Sequence, residues 1–130
     1  MQLIEIKPAD LPAILALLQE IDYDPHRDIA WLHDRTFRDP TCEPDLLLLA
    51  EIEGEVAGFC FGCMREERGV IKLFGVRESR RRMGVATALF DTIEARMRQR
   101  GATQVIVGAV APNYFYPGID LMHTDAISFL

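Results

Sequence analysis

Apolar positions along the chain recur with two different periods, and the switches between them predict its elements. Residues 2–7 (Gln-Leu-Ile-Glu-Ile-Lys) read as a short strand. Leu11, Ile14, Leu15, Leu18 and Ile21 follow at helical spacing, which predicts an amphipathic helix over 11–20 with Asp10 as its N-cap and Pro12 in its first turn. A second helix is expected near 27–38, with Ile29, Leu32 and Phe37 inward and Asp39-Pro40 stopping it. Leu46–Ile52 and Val56–Met64 are apolar runs flanking Glu53-Gly54-Glu55, the pattern of a hairpin. Val70–Val76 predicts a third strand after the charged turn Arg65–Gly69.

A long helix is then expected from Gly84, because Val85, Leu89, Ile93 and Met97 recur every four residues. Arg96, Arg98 and Arg100 load its last turn and Gly101 follows, as the helix dipole and C-cap geometry favour. Gln104–Val110 reads as a strand, and a loop over 111–122 leads to a final helix. The order β-α-α-β-β-β-α-β-α predicts an α/β fold, a mixed sheet with helices on both faces. Its one parallel pair should be the strands on either side of the 84–100 helix.

With 130 residues and no internal repeat or linker, the chain is expected to form a single domain over 1–130. Hydrophobic residues at 49% and charged residues at 26% describe an ordinary globular protein rather than a disordered or collagenous one. No apolar run approaches the ~20 residues of a membrane span, and Met1–Glu5 lacks the basic and apolar regions of a secretory signal. A cytoplasmic protein without membrane partners is therefore expected. The net charge of −6 argues against nucleic acid as a partner.

Charge is unevenly placed. Arg77, Arg80, Arg81 and Arg82 gather four of the 14 basic residues into six positions. Such a spot is either a solvated loop or a site for a small polyanion. Cys60 and Cys63 have C-x-x-C spacing, but residues three apart on a strand face opposite sides, and the histidines at 26, 33 and 123 form no pair. Core packing is the expected role of these cysteines, and no metal site is expected.

The informative segment is Val76-Arg77-Glu78-Ser79-Arg80-Arg81-Arg82-Met83-Gly84-Val85-Ala86-Thr87. A strand ends, a basic turn follows, and a glycine stands where a helix begins. The first amides of a helix lack internal partners and carry about half a positive charge. Phosphate oxygens suit such a place, Gly84 and Ala86 let an anion approach the backbone, and the Thr87 hydroxyl can donate. Neither the P-loop pattern nor G-x-G-x-x-G is present. The physical reading is a diphosphate cradle.

Arg81-x-x-Gly84-x-Ala86, followed by Thr87-Ala88-Leu89, resembles the acyl-CoA pyrophosphate motif of the GNAT N-acetyltransferase superfamily, and the order of elements over 2–110 is similar to that family's. The resemblance implies a GNAT-like fold in which the amides around Arg82, Met83, Gly84, Val85, Ala86 and Thr87 hold the CoA pyrophosphate. It implies that the strand carrying Phe74 and Val76 takes the pantetheine and acyl group beside the strand at 104–110, with Arg81 offsetting charge. Pro112–Asp120 resembles a loop of GNAT chains with two copies of the domain, and Asn113 within it is assigned to the cofactor.

Two departures accompany the resemblance. Leu130 falls about where the family often places a tyrosine that protonates the departing thiolate, and the family's last two strands lie beyond the sequence. A homodimer or an attached second domain is expected to complete the sheet. The implied activity is transfer of an acetyl group from acetyl-CoA to a primary amine of a small molecule or peptide. Glu51 is the candidate base and Tyr114 or Tyr116 the candidate acid, since 70–76 holds no carboxylate. The alternative is a non-catalytic acyl-CoA-binding or structural module of a tandem or oligomeric protein.

Overall fold

The computed structural model describes residues 1–107, and these form a five-stranded mixed sheet with helices on both faces. In chain order the elements are β1 (Gln2–Glu5), α1 (Leu11–Ile21), α2 (Ile29–Arg35), β2 (Cys42–Ile52), β3 (Glu55–Arg65), β4 (Arg68–Val76), α3 (Val85–Gln99) and β5 (Gln104–Val107). The strands lie side by side in sequence order. All pairs are antiparallel except β4 with β5, which are parallel across the α3 crossover.

The β2–β3 turn is two residues long, and Glu53 and Gly54 both take positive φ (53° and 76°), the conformation that matches strand twist in a tight hairpin. β2 is longer than its apolar run implies, because it begins at Cys42 and carries Pro44 and Asp45 through a register shift between Cys42 and Leu47. The second helix is shorter than expected: Asp28 caps it by accepting from the Trp31 amide at 2.8 Å, and it ends at Arg35. Asp10 stands at the N-cap of α1 as expected, but its side chain makes no capping bond there. Its carboxylate instead accepts from the Lys7 amide at 2.8 Å, closing a one-turn 3-10 helix at Pro8–Asp10.

Two apolar layers fill the fold. Leu11, Ile14, Leu17 and Leu18 of α1 are buried on one side of the sheet, and Val85, Leu89, Phe90, Ile93 and Met97 of α3 on the other. Glycines in β3 let α3 come close: a Cβ at Gly58 would stand 2.9 Å from both Gly75 O and Val85 Cγ1. Because Gly58 pairs with Val76, the start of α3 lies over the C-terminal end of β4. Gly58 and Gly62 face α3, so strand alternation puts Cys60 on that face and Cys63 on the opposite one. Both are buried, free thiols, and burial pushes the Cys60 pKa far up, so it packs as an apolar side chain.

The strand expected over 104–110 is observed through Val107. Residues 108–110, the loop with Asn113, Tyr114 and Tyr116, the final helix and Leu130 lie outside the described residues. Among the described residues no helix is long and apolar enough to cross a membrane, and no group of His, Cys, Asp or Glu side chains is arranged to hold a metal ion.

Candidate functional site

The turn from β4 into α3 is held by its arginines and opened by its glycine. The Arg77 guanidinium donates to Val56 O at 3.1 Å and pairs with Glu20 and with Glu55 at 3.1 Å. Arg80 reaches Glu53 at 3.5 Å and Glu55 at 3.7 Å. These two arginines therefore tie the turn to α1 and to the β2–β3 hairpin, and their charge is locally offset. Four clustered basic residues in the sequence become two structural ties and the pair Arg81 and Arg82 beside the helix start.

The backbone then turns twice into the left-handed region. Arg82 has φ 68° and Gly84 φ 79°. A residue with a Cβ rarely takes that conformation, and the strain at Arg82 is one that surroundings must hold in place. α3 starts directly after Gly84 without a side-chain cap, and its first internal bond runs from the Ala88 amide to Gly84 O at 2.9 Å. Among the described residues, the amides of 82–87 donate to no acceptor. A Cβ at Gly84 would meet nothing within 4 Å, so the space beside Gly84 is open. A row of acceptor-free donors at the positive end of a 15-residue helix can seat an anion, with Arg82 exposed beside it.

The other expected cofactor residues are brought to the same end of β4. Val85 is buried and Ala86 partly buried, so their side chains anchor the helix start. Thr87 lies in the first turn, and Met83 is half exposed at the tip of the loop. Phe74 and Val76 are buried, and the Phe74 ring packs on Phe90 with centroids 4.5 Å apart, so both side chains belong to the core. Glu51 is not brought there: it pairs with Gln2 and Val56, and β3 separates it from β4.

A mixed sheet whose parallel pair is bridged by a helix with acceptor-free first amides among the described residues defines an α/β domain with a candidate anion seat at the β4–α3 turn. Residues 11–117 match the model of the acetyltransferase (GNAT) family, and the chain belongs to that family. It is accordingly an acyl-CoA-dependent N-acyltransferase. An acetyltransferase of Pectobacterium atrosepticum is 31% identical over 101 residues, which cover 74% of this chain and 67% of that one. One of Photorhabdus laumondii is 31% identical over 103 residues, covering 75% and 67%. Among solved structures, Ard1 of Thermoplasma volcanium superposes with a TM-score of 0.69 at 25% identity, over 82% of this chain and 69% of that one. The aminoglycoside antibiotic 6'-N-acetyltransferase of Acinetobacter haemolyticus gives 0.67 at 21% identity, over 84% and 79%, a likeness of fold.

Proposed function

We propose that this chain binds acetyl-CoA with its pyrophosphate on the amides of 82–87 and transfers the acetyl group to a primary amine of a small molecule or peptide. The observation that carries the reading is that row of acceptor-free amides behind Gly84. Arg81 and Arg82 supply the neighbouring positive charge. From there the pantetheine arm lies along the β4 edge, and backbone amides of β4 polarise the thioester carbonyl. Acetyl-CoA itself supplies the activated acyl carbon. The amine attacks that carbon as its neutral form, the carbon–sulfur bond breaks, and the departing thiolate takes a proton.

Tyr114 and Tyr116 are the side chains proposed to give that proton, and Asn113 to contact the cofactor. Glu51, two strands from β4, acts as base only through relayed water. The chain is proposed to work in the cytoplasm, as a homodimer or with a second domain completing the sheet. The test is thiol release from acetyl-CoA in the presence of polyamines, aminoglycosides and peptides with free N-termini. Release that depends on one class of amine supports the reading. Acetyl-CoA binding without release on any amine, by protein of verified fold, contradicts the transfer step.

A further inference from the structure

The three cysteines stand in different surroundings. Cys60 is buried under α3, whereas Cys63 lies on the opposite face of β3, and the register sets Cys42, the first residue of β2, directly across from it. Both are free thiols, Cys42 half-buried and Cys63 only 1% exposed. Directly opposite residues of an antiparallel pair have Cα atoms about 4.5 or about 5.5 Å apart, according to whether they exchange backbone hydrogen bonds. A disulfide accepts Cα separations of about 4.4–6.8 Å, so either spacing serves. The Cys42 amide donates to Asp39 O at 2.9 Å, and an N–H committed there is not exchanged with Cys63. That marks the closer kind of pair, whose side chains are nearer each other.

Opposite Cβ atoms in a sheet stand about 4.5–5.5 Å apart, whereas a relaxed disulfide has them about 3.8 Å apart. Closing a bond here therefore draws β2 and β3 together by roughly an ångström. Slack exists at this place, because Cys42 opens β2 and the register shift between Cys42 and Leu47 releases it from the regular ladder. A disulfide closed against strain has a higher reduction potential than a structural one and is the kind that thiols reverse.

Burial pushes the Cys42 thiol up, the Lys72 ammonium pulls the other way, and Asp39, Cys63 and Glu43 add to the rise. Its thiolate is thus a minor form at neutral pH, and exchange quickens toward alkaline pH. We infer that Cys42 and Cys63 are a reversible cross-strand disulfide pair, oxidised by a low-molecular-weight disulfide such as glutathione disulfide. The Cys42 thiolate attacks a glutathione sulfur, that S–S bond breaks, and one glutathione thiolate leaves. Cys63, having lost its proton, then attacks the Cys42 sulfur and expels the second glutathione. Two protein thiols give up two electrons and two protons, and one glutathione disulfide becomes two glutathione thiols. This pairing is independent of the acetyl-CoA reading.

The test is to incubate reduced protein with glutathione disulfide at alkaline pH without denaturant, alkylate it, digest it without reduction and map the peptides by mass spectrometry. The expected product is lighter by two hydrogens, joins the Cys42 and Cys63 peptides, and returns to the dithiol in excess reduced glutathione. Cys60, fully buried on the other face, is the internal control and should stay unmodified until the protein is denatured. Cys63→Ala should instead hold one glutathione on Cys42, and Cys42→Ala should take up none. A parent that stays a dithiol, stops at glutathionylated Cys42, or joins Cys60 or a second chain overturns the inference. So does a bond that excess reduced glutathione fails to reverse, reaction of Cys60 before denaturation, or uptake of glutathione by Cys42→Ala. Should Cys63→Ala fail to fold, the parent's peptide map and Cys42→Ala decide by the same criteria.

Discussion

At its C-terminal end α3 is tied to β1 and β2 by two arginines, whereas at its N-terminal end the amides of 82–87 have no acceptor among the described residues. Arg96 donates to Asp45 O at 2.6 Å and reaches Glu5 at 3.7 Å. Arg100 pairs with Glu43 at 3.0 Å and with Asp45. Basic side chains beside the negative pole of a helix are favourable, and here they also join the helix to the sheet. The positive pole is treated differently: Arg77 and Arg80 brace the turn before it through Glu20, Glu53 and Glu55, while the pole itself is bare. One end of the helix is finished internally. The other is where the proposed ligand would sit.

Four perturbations separate the two ends. Gly58→Val should have the largest effect, because its Cβ would meet a backbone oxygen and Val85 at 2.9 Å under the helix start. Overpacking of this kind costs about 3 kcal/mol, read by denaturant unfolding, and should weaken acetyl-CoA binding as the start of α3 is displaced. Arg100→Ala, at the clamped end, should lose about 1 kcal/mol of stability and leave acetyl-CoA affinity unchanged. The Arg100 guanidinium holds the Asp45 carboxyl below its usual range. A carboxylate with a depressed folded pKa stabilises the fold above its unfolded value, about 3.9, and loses that contribution as pH falls through the folded value. The stability gap between the parent and Asp45→Asn should therefore be constant from neutral pH to about 4 and close below it. Smallest is the salt effect. Acetyl-CoA affinity should fall with ionic strength, and Arg82→Gln should reduce the slope, because exposed charges are screened beyond about 8 Å at physiological salt.

Much of this arrangement is legible in the sequence, and the parts that are not have a common cause. α3 is readable because its apolar residues recur every four positions, and because Gly101 adopts the expected positive φ of 90° just after it. The anion seat is readable because Gly84 and the strand before it fall within one short segment. The start of β2 is hidden, since Pro44 and Asp45 interrupt the apolar run and only pairing with β3 makes the segment a strand. The ties of Arg77 and Arg80 are hidden as well. Glu20 lies 57 residues from Arg77, and no local pattern announces that contact. Lys72 is the clearest case: it looks like a polar intruder in a strand, and only its partners 33 and 37 residues away, Asp39 and Arg35 O, account for it.

The central claim is that the bare end of α3 seats the CoA pyrophosphate, and two glycines allow a matched test. Gly84 and Gly101 flank the same helix, both have positive φ (79° and 90°), and a Cβ at either meets nothing within 4 Å. Replacing either by glutamate imposes a similar backbone strain, about 1–2 kcal/mol. Only at Gly84 does the new carboxylate enter the phosphate position. Calorimetric titration of acetyl-CoA into both variants is expected to show parent-like affinity for Gly101→Glu and a loss of at least tenfold, about 1.4 kcal/mol, for Gly84→Glu at equal thermal stability. Equal affinity in the two variants would contradict the account.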